Sequence, residues 1–245
     1  MKLKFIADDY GSSPAANSSI LALTGKSVVS GVSVLPLDNL SYPDGSLALE
    51  WGAHLYLTEF SPLTPRVSAL SDGKGLSKKQ VLTMLFSGKL SCALMEAEFS
   101  AQLERLRTTG FELSFADTHM NLHWHPVVLR AMRSALSAAG IKGWIRPVAI
   151  KDFRGAWLKP AFSAILSRAL GMGSGAFVLV NCPGYMGDDT SVDAGIFLWK
   201  KFVSSLVPDD EGRIIVPCHP HLSPAEARLY SYPGFESILR EAGVL

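Results

Sequence analysis

Apolar positions along this chain switch between two periods. Short runs such as "LKFIA" (3–7), "VSGVSVLPL" (29–37), "WGAHLYL" (51–57) and "FELSFAD" (111–117) read as buried strands. "GWIRP" (143–147), "AFVLV" (176–180) and "RIIVPC" (213–218) read the same way. Between them, apolar residues recur at helical spacing. After Gly11, Ser13 is placed to cap a helix opened by Pro14, with Ala16, Ile20 and Leu23 on one stripe. Two helical patterns follow residue 76, the second carrying Phe99, Leu103 and Leu106. Pro126 opens another that stops near Gly140, and further helical stretches lie near 158–170, 193–206 and in "GFESILREAG" (234–243).

This alternation predicts an α/β fold of about seven βα units in a single domain over residues 1–245. The count favours closure into a barrel of parallel strands, although an open sheet satisfies the same pattern. Residues 38–49 are too few for a full helix and predict a thin, irregular wall. The Ser-, Pro- and Gly-rich segment 58–76 reads as a long loop able to close over a site.

Composition narrows the function more than the fold. A net charge of +1 over 245 residues, without a basic run, gives no general attraction for nucleic acid or an anionic membrane and points to a small-molecule partner. No apolar run reaches the roughly 18 residues of a membrane span. The opening lacks a secretory leader pattern, and the three cysteines, Cys92, Cys182 and Cys218, are odd in number and far apart. A cytoplasmic protein is expected.

The six histidines fall in or just beyond predicted strands: His54, His119, His123, His125, His219 and His221. In parallel α/β folds strand ends converge on the face where active sites are built. His54 alone reads more readily as a satisfied core or surface residue. "DTHMNLHWHP" (117–126) is harder to explain by packing, and extended geometry would put Asp117 and His119 on one face, with Asn121 and His123 following if the strand continued. "PCHPH" (217–221) follows an apolar strand, with prolines fixing the backbone around His219.

Asp8 and Asp9 in "ADDYG" stand side by side where burial repels them, unless a cation or proton is shared nearby. Imidazole and carboxylate donors suit zinc or a similar divalent ion with one position left to water. An Asp, His, His set drawn from separate strands meets that need, leaving the second aspartate to accept a proton from the water. Such a site hydrolyses an amide or ester, with His219 a candidate to protonate the departing amine. Arg146 reads as a surface ion pair or as an orienter of a carboxylate. Tyr56, Trp124 and Tyr185 read singly as core aromatics, or, if exposed, as flat faces for a sugar ring.

The blocks "ADDYGSSPAANSSI", "GAHLYLTE", "DTHMNLHWHP" and "PCHP", in that order over residues 7–220, resemble the YdjC family of carbohydrate deacetylases. The resemblance implies a distorted barrel of the NodB-like kind, one divalent ion (zinc or magnesium), an N-acetylated saccharide as substrate and often a homodimer. It implies Asp8 as general base, His219 as general acid, and Asp9, His54 and His119 as metal ligands. Asp117 and Arg146 become orienting residues, with His123, Tyr56 and Tyr185 near the substrate. The chain departs from the family at Asn121, where a histidine is common, and at His221, where a glycine is usual. A two-metal phosphoesterase and a saccharide-binding protein without turnover are the alternatives.

Overall fold

The computed structural model describes residues 2–24, 28–38, 40–43, 49–71, 73–146, 178–179, 191–205 and 213–244. Strands stand at each of the seven expected stretches: β1 (Lys2–Tyr10), β2 (Val29–Val34), β3 (Glu50–Leu55), β4 (Leu113–Thr118), β5 (Trp144–Ile145), β6 (Val178–Leu179) and β7 (Arg213–Cys218). Among the described residues parallel pairing joins six of them rather than the seven expected: β1 with β7, β7 with β6, β3 with β4 and β4 with β5. The class is α/β, as the alternating periods predict. The described chain divides into two compact units: residues 1–32, 45–50 and 146–245 in the first, and 33–44 and 51–145 in the second.

In the first unit β7 lies between β1 and β6. Helix α1 (Pro14–Leu23) starts where expected, Ser13 Oγ accepting the Ala16 N–H at 3.1 Å, and it buries Ala16, Ile20 and Leu23. Phe5 of β1 sits in an aromatic cluster with Trp199 of α6 (Val192–Ser205), Tyr230 of α7 (Pro224–Tyr230) and Phe235 of α8 (Pro233–Glu241), with ring centroids 5.4 to 6.1 Å from it. Burying such rings contributes on the order of 1.5–3 kcal/mol each, which ties these three helices to β1. Helix α7 is not among the expected elements: at seven residues it is too short to leave a helical period in the sequence.

In the second unit β4 lies between β3 and β5. Gly52 of β3 faces the Phe115 ring so closely that a Cβ would meet it at 2.1 Å, and Phe115 stacks on Trp144 at 4.7 Å. Helices α3 (Lys78–Phe86), α4 (Cys92–Thr108) and α5 (Pro126–Ala138) match the expected patterns, and α4 buries Phe99, Leu103 and Leu106.

Two expectations are corrected here. Segment 58–76 is not a free lid: it contains α2 (Pro65–Ser68), and buried Glu98 of α4 accepts the Leu63 N–H (2.8 Å), the Thr64 N–H (2.9 Å) and the Thr64 hydroxyl (2.6 Å). The strand through Asp117 also stops at Thr118. A 3-10 turn (His119–Trp124) follows, with Met120 and Asn121 in the left-handed region at φ 58° and 53°, so Asn121 and His123 do not continue the face of Asp117. The helical stretch expected near 158–170, Cys182 and Tyr185 lie outside the described residues. No helix among the described residues is long and apolar enough to cross a membrane.

Candidate active site

Successive strand residues project to opposite faces. Asp8 and Asp9 depart from this: Asp8 Oδ2 lies 3.7 Å and Asp9 Oδ2 4.0 Å from the same atom, His219 Nε2. The backbone supplies the reason. Asp9 has φ 70°, a left-handed conformation that costs on the order of 1–3 kcal/mol for a residue other than glycine. The following turn holds it: Ser12 N–H donates to Asp9 O (3.1 Å), Gly11 takes φ 98°, and Gly11 N–H donates to Asn17 Oδ1 of α1 (2.6 Å).

Arg146 clamps Asp8 from two sides. Its Nη1 donates to Asp8 Oδ2 at 2.7 Å and its Nη2 to Oδ1, both side chains being almost fully buried. Such a two-pronged, charge-assisted pair fixes the carboxylate in orientation as well as position.

The β1–β7 register, Ala7 beside Cys218, carries the chain past β7 to His219 alongside Asp8. Glu226 of α7 accepts the His219 backbone N–H at 2.9 Å, and burial raises the Glu226 pKa above its ordinary value. His221 Nε2 lies 3.6 Å from Asp9 Oδ2, and burial lowers the His221 pKa.

The second unit holds a matching group. His54 of β3 pairs in register with Asp117 of β4. Asp117 Oδ1 accepts from the Ser33 hydroxyl at 2.9 Å and contacts His54 Nδ1. An ionised carboxylate only accepts, so His54 carries its proton on Nδ1 and presents a lone pair at Nε2. On the same logic Glu59 Oε2, 3.0 Å from His119 Nε2, leaves the lone pair of His119 on Nδ1. These two lone-pair atoms stand 3.2 Å apart. A proton between them would make a hydrogen bond, and an ion in its place would take a lone pair from each ring: paired imidazole nitrogens oriented by carboxylates are the donor set of a divalent transition ion. The residues present fit such an ion.

Of the other expected site residues, His123 is buried, its Nδ1 2.7 Å from the Thr118 hydroxyl. Tyr56 is 1% exposed, donates its hydroxyl to Ser61 O (3.0 Å) and packs on Phe60, so it is a core aromatic rather than a sugar platform. Burial drives its pKa upward. Trp124 packs against His125 in the turn. Three site residues lie outside the sequence-based expectation: Ser33, Glu59 and Glu226. Glu59 stands inside the "GAHLYLTE" block, which could have marked it; nothing local marks the other two.

A family model described as YdjC-like protein matches residues 2–228. Among curated relatives, a carbohydrate deacetylase from Listeria welshimeri is 34% identical over 129 residues, 50% of this chain and 52% of that protein. Another from Brevibacillus brevis is 31% identical over 135 residues, 53% of each. The chain spans about half the length of the curated relatives it matches. A solved protein from Enterococcus faecalis, described as a cellobiose-phosphate cleavage protein, superposes with a TM-score of 0.68 at 15% identity, covering 100% of this chain and 95% of that one. A lactam utilization protein from Thermus thermophilus gives 0.50 at 16% identity, covering 100% and 98%. At such identities the likeness shows the fold alone.

Proposed function

Because the chain belongs to the YdjC-like protein family, we propose that it is a metal-dependent hydrolase removing an acetyl group from an N-acetylated sugar or oligosaccharide. The relatives named carbohydrate deacetylase support the reaction class. The observation that carries the metal dependence is the 3.2 Å approach of His54 Nε2 to His119 Nδ1, with the opposite nitrogen of each ring on a carboxylate.

The family resemblance assigns Asp9, together with His54 and His119, to one divalent ion, zinc or magnesium, and the two imidazoles favour zinc. When bound, that ion acidifies water and polarises the acetyl carbonyl. Asp8, held by Arg146, takes a proton from the attacking water as its oxygen bonds to the acetyl carbon. His219, 3.7 Å from Asp8, gives a proton to the sugar nitrogen as the carbon–nitrogen bond breaks, releasing acetate and a free amine. Asp117 and Ser33 keep His54 in the required tautomer. On the family resemblance and the cysteine pattern we also propose a cytoplasmic homodimer.

The test is release of acetate and amine from a panel of N-acetylated mono- and oligosaccharides by zinc-loaded protein. Equimolar products, lowered at least ~100-fold by Asp8→Asn, are expected. Folded, zinc-loaded protein that releases no acetate, or an Asp8→Asn variant at the wild-type rate, would overturn the reading.

A further inference from the structure

Glu59 has φ 68°, in the left-handed region where a long side chain is uncommon. Backbone contacts hold it there. Glu59 N–H donates to Leu76 O at 2.9 Å, Phe60 N–H donates to Thr58 O at 2.8 Å, and Thr58 and Leu76 form an isolated parallel bridge. Gly75 backs onto the same turn: a Cβ there would stand 2.2 Å from Glu59 C and 2.6 Å from Phe60 N, distances that only a shift of the backbone would relieve. Farther along, Glu98 anchors Leu63 and Thr64. Strain of this kind persists only where its surroundings over-determine it.

Among the described residues the strained turn brings two groups to His119: the Glu59 carboxylate, 3.0 Å from Nε2, and the Phe60 ring, whose centroid lies 5.4 Å from the imidazole's. Glu59 is 48% exposed at its side chain, and ion pairs so exposed contribute little to stability. The pair itself therefore adds little stability, and what it does supply is orientation of the imidazole.

We infer that Glu59 is a positioning residue that keeps the His119 proton on Nε2 and so makes Nδ1 the ligating atom, and that Gly75 is the position that lets the turn carrying Glu59 form. The inference deepens the proposed function and rests on its ion for the ligating role, but the tautomer itself is a property of the metal-free chain.

Long-range nitrogen–proton NMR on histidine-labelled, metal-free protein reads that tautomer directly. The wild type and Glu59→Gln, whose amide oxygen still accepts, are expected to show His119 protonated at Nε2, and Glu59→Ala a mixture. Zinc affinity, measured by competition with a chromophoric chelator, is expected to fall ~10–100-fold in Glu59→Ala and to recover in Glu59→Gln. Gly75→Ala should reproduce the loss with Glu59 still present; if it does not fold, the Glu59 pair decides alone. A wild-type His119 protonated at Nδ1, or a tautomer and affinity unmoved in Glu59→Ala, would overturn the inference. Should the tautomer depend on Glu59 while zinc binds to none of the proteins, the ion reading falls and the positioning of His119 stands.

Discussion

Nε2 of His54 and Nδ1 of His119 face each other across 3.2 Å, each ring anchored through its other nitrogen to a carboxylate. An ion standing in place of a proton between them would take a lone pair from each ring. Zinc at 100 times its dissociation constant is expected to stabilise the wild type by about 2.7 kcal/mol through mass action. Calorimetric melting with zinc and with a chelator should show this gap in the wild type and none in His119→Ala. An equal gap in both proteins would place the ion elsewhere.

Asp117 acts on the ion through His54. Asp117→Ala leaves the Ser33 hydroxyl and His54 Nδ1 without their acceptor in a buried site, at a cost of about 1–3 kcal/mol. It also frees His54 to change tautomer, so zinc affinity should fall ~10–100-fold. Ser33→Ala removes one donor and leaves the tautomer set, so a smaller loss of stability with little change in affinity is expected. Denaturant melts together with zinc competition separate the two effects.

How much of the chain is legible in its sequence depends on range. The strands, the capped start at Ser13 and Pro14 and the buried stripe of α4 are local patterns, and each is legible. The groups around Asp8 and around His54 are legible as chemistry, since paired aspartates and clustered histidines have few structural uses. The turn after Thr118 is barely so, because left-handed Met120 gives no signal in residue type and Asn121, a residue tolerated in that region, gives only a weak one. Ser33, 84 residues from Asp117, and Glu226 are hidden for a different reason: each acts through a partner that only the fold brings near. Glu98 reads as an ordinary helix carboxylate, yet its three bonds to Leu63 and Thr64 turn an apparent lid into a fixed segment.

The Asp8–Arg146 pair should be costly to break and less costly to remove whole. Arg146→Met leaves a buried carboxylate without its counter-charge, and a loss of about 3–5 kcal/mol is expected at neutral pH. Arg146→Lys keeps the charge but not the two-pronged geometry, so it should lower acetate release more than it lowers stability. Combining Asp8→Asn with Arg146→Met should recover part of the lost stability while leaving the enzyme inactive. Urea titrations of the single and double variants measure the coupling; strict additivity would mean that the pair does not act as a unit.

Glu226 sets a pH dependence whose sign follows from its surroundings. Burial raises its folded-state pKa above the ordinary 4.5, outweighing the hydrogen bond from the His219 backbone and the His219 charge, both of which act the other way. A carboxyl with a raised folded-state pKa favours folding while it is neutral. Its contribution is therefore complete below the ordinary value and is lost as pH rises through the raised one. Glu226→Gln stays neutral throughout and keeps an oxygen to accept the His219 N–H, so it isolates this cost. Melting temperatures of the two proteins should coincide in acid and separate as the pH climbs beyond about 4.5, with the glutamine variant the more stable, and the gap should level off once the wild-type carboxyl is ionised. A wild type that gains on the variant with rising pH would mean that attraction to His219 outweighs burial, reversing the balance assigned to this carboxyl.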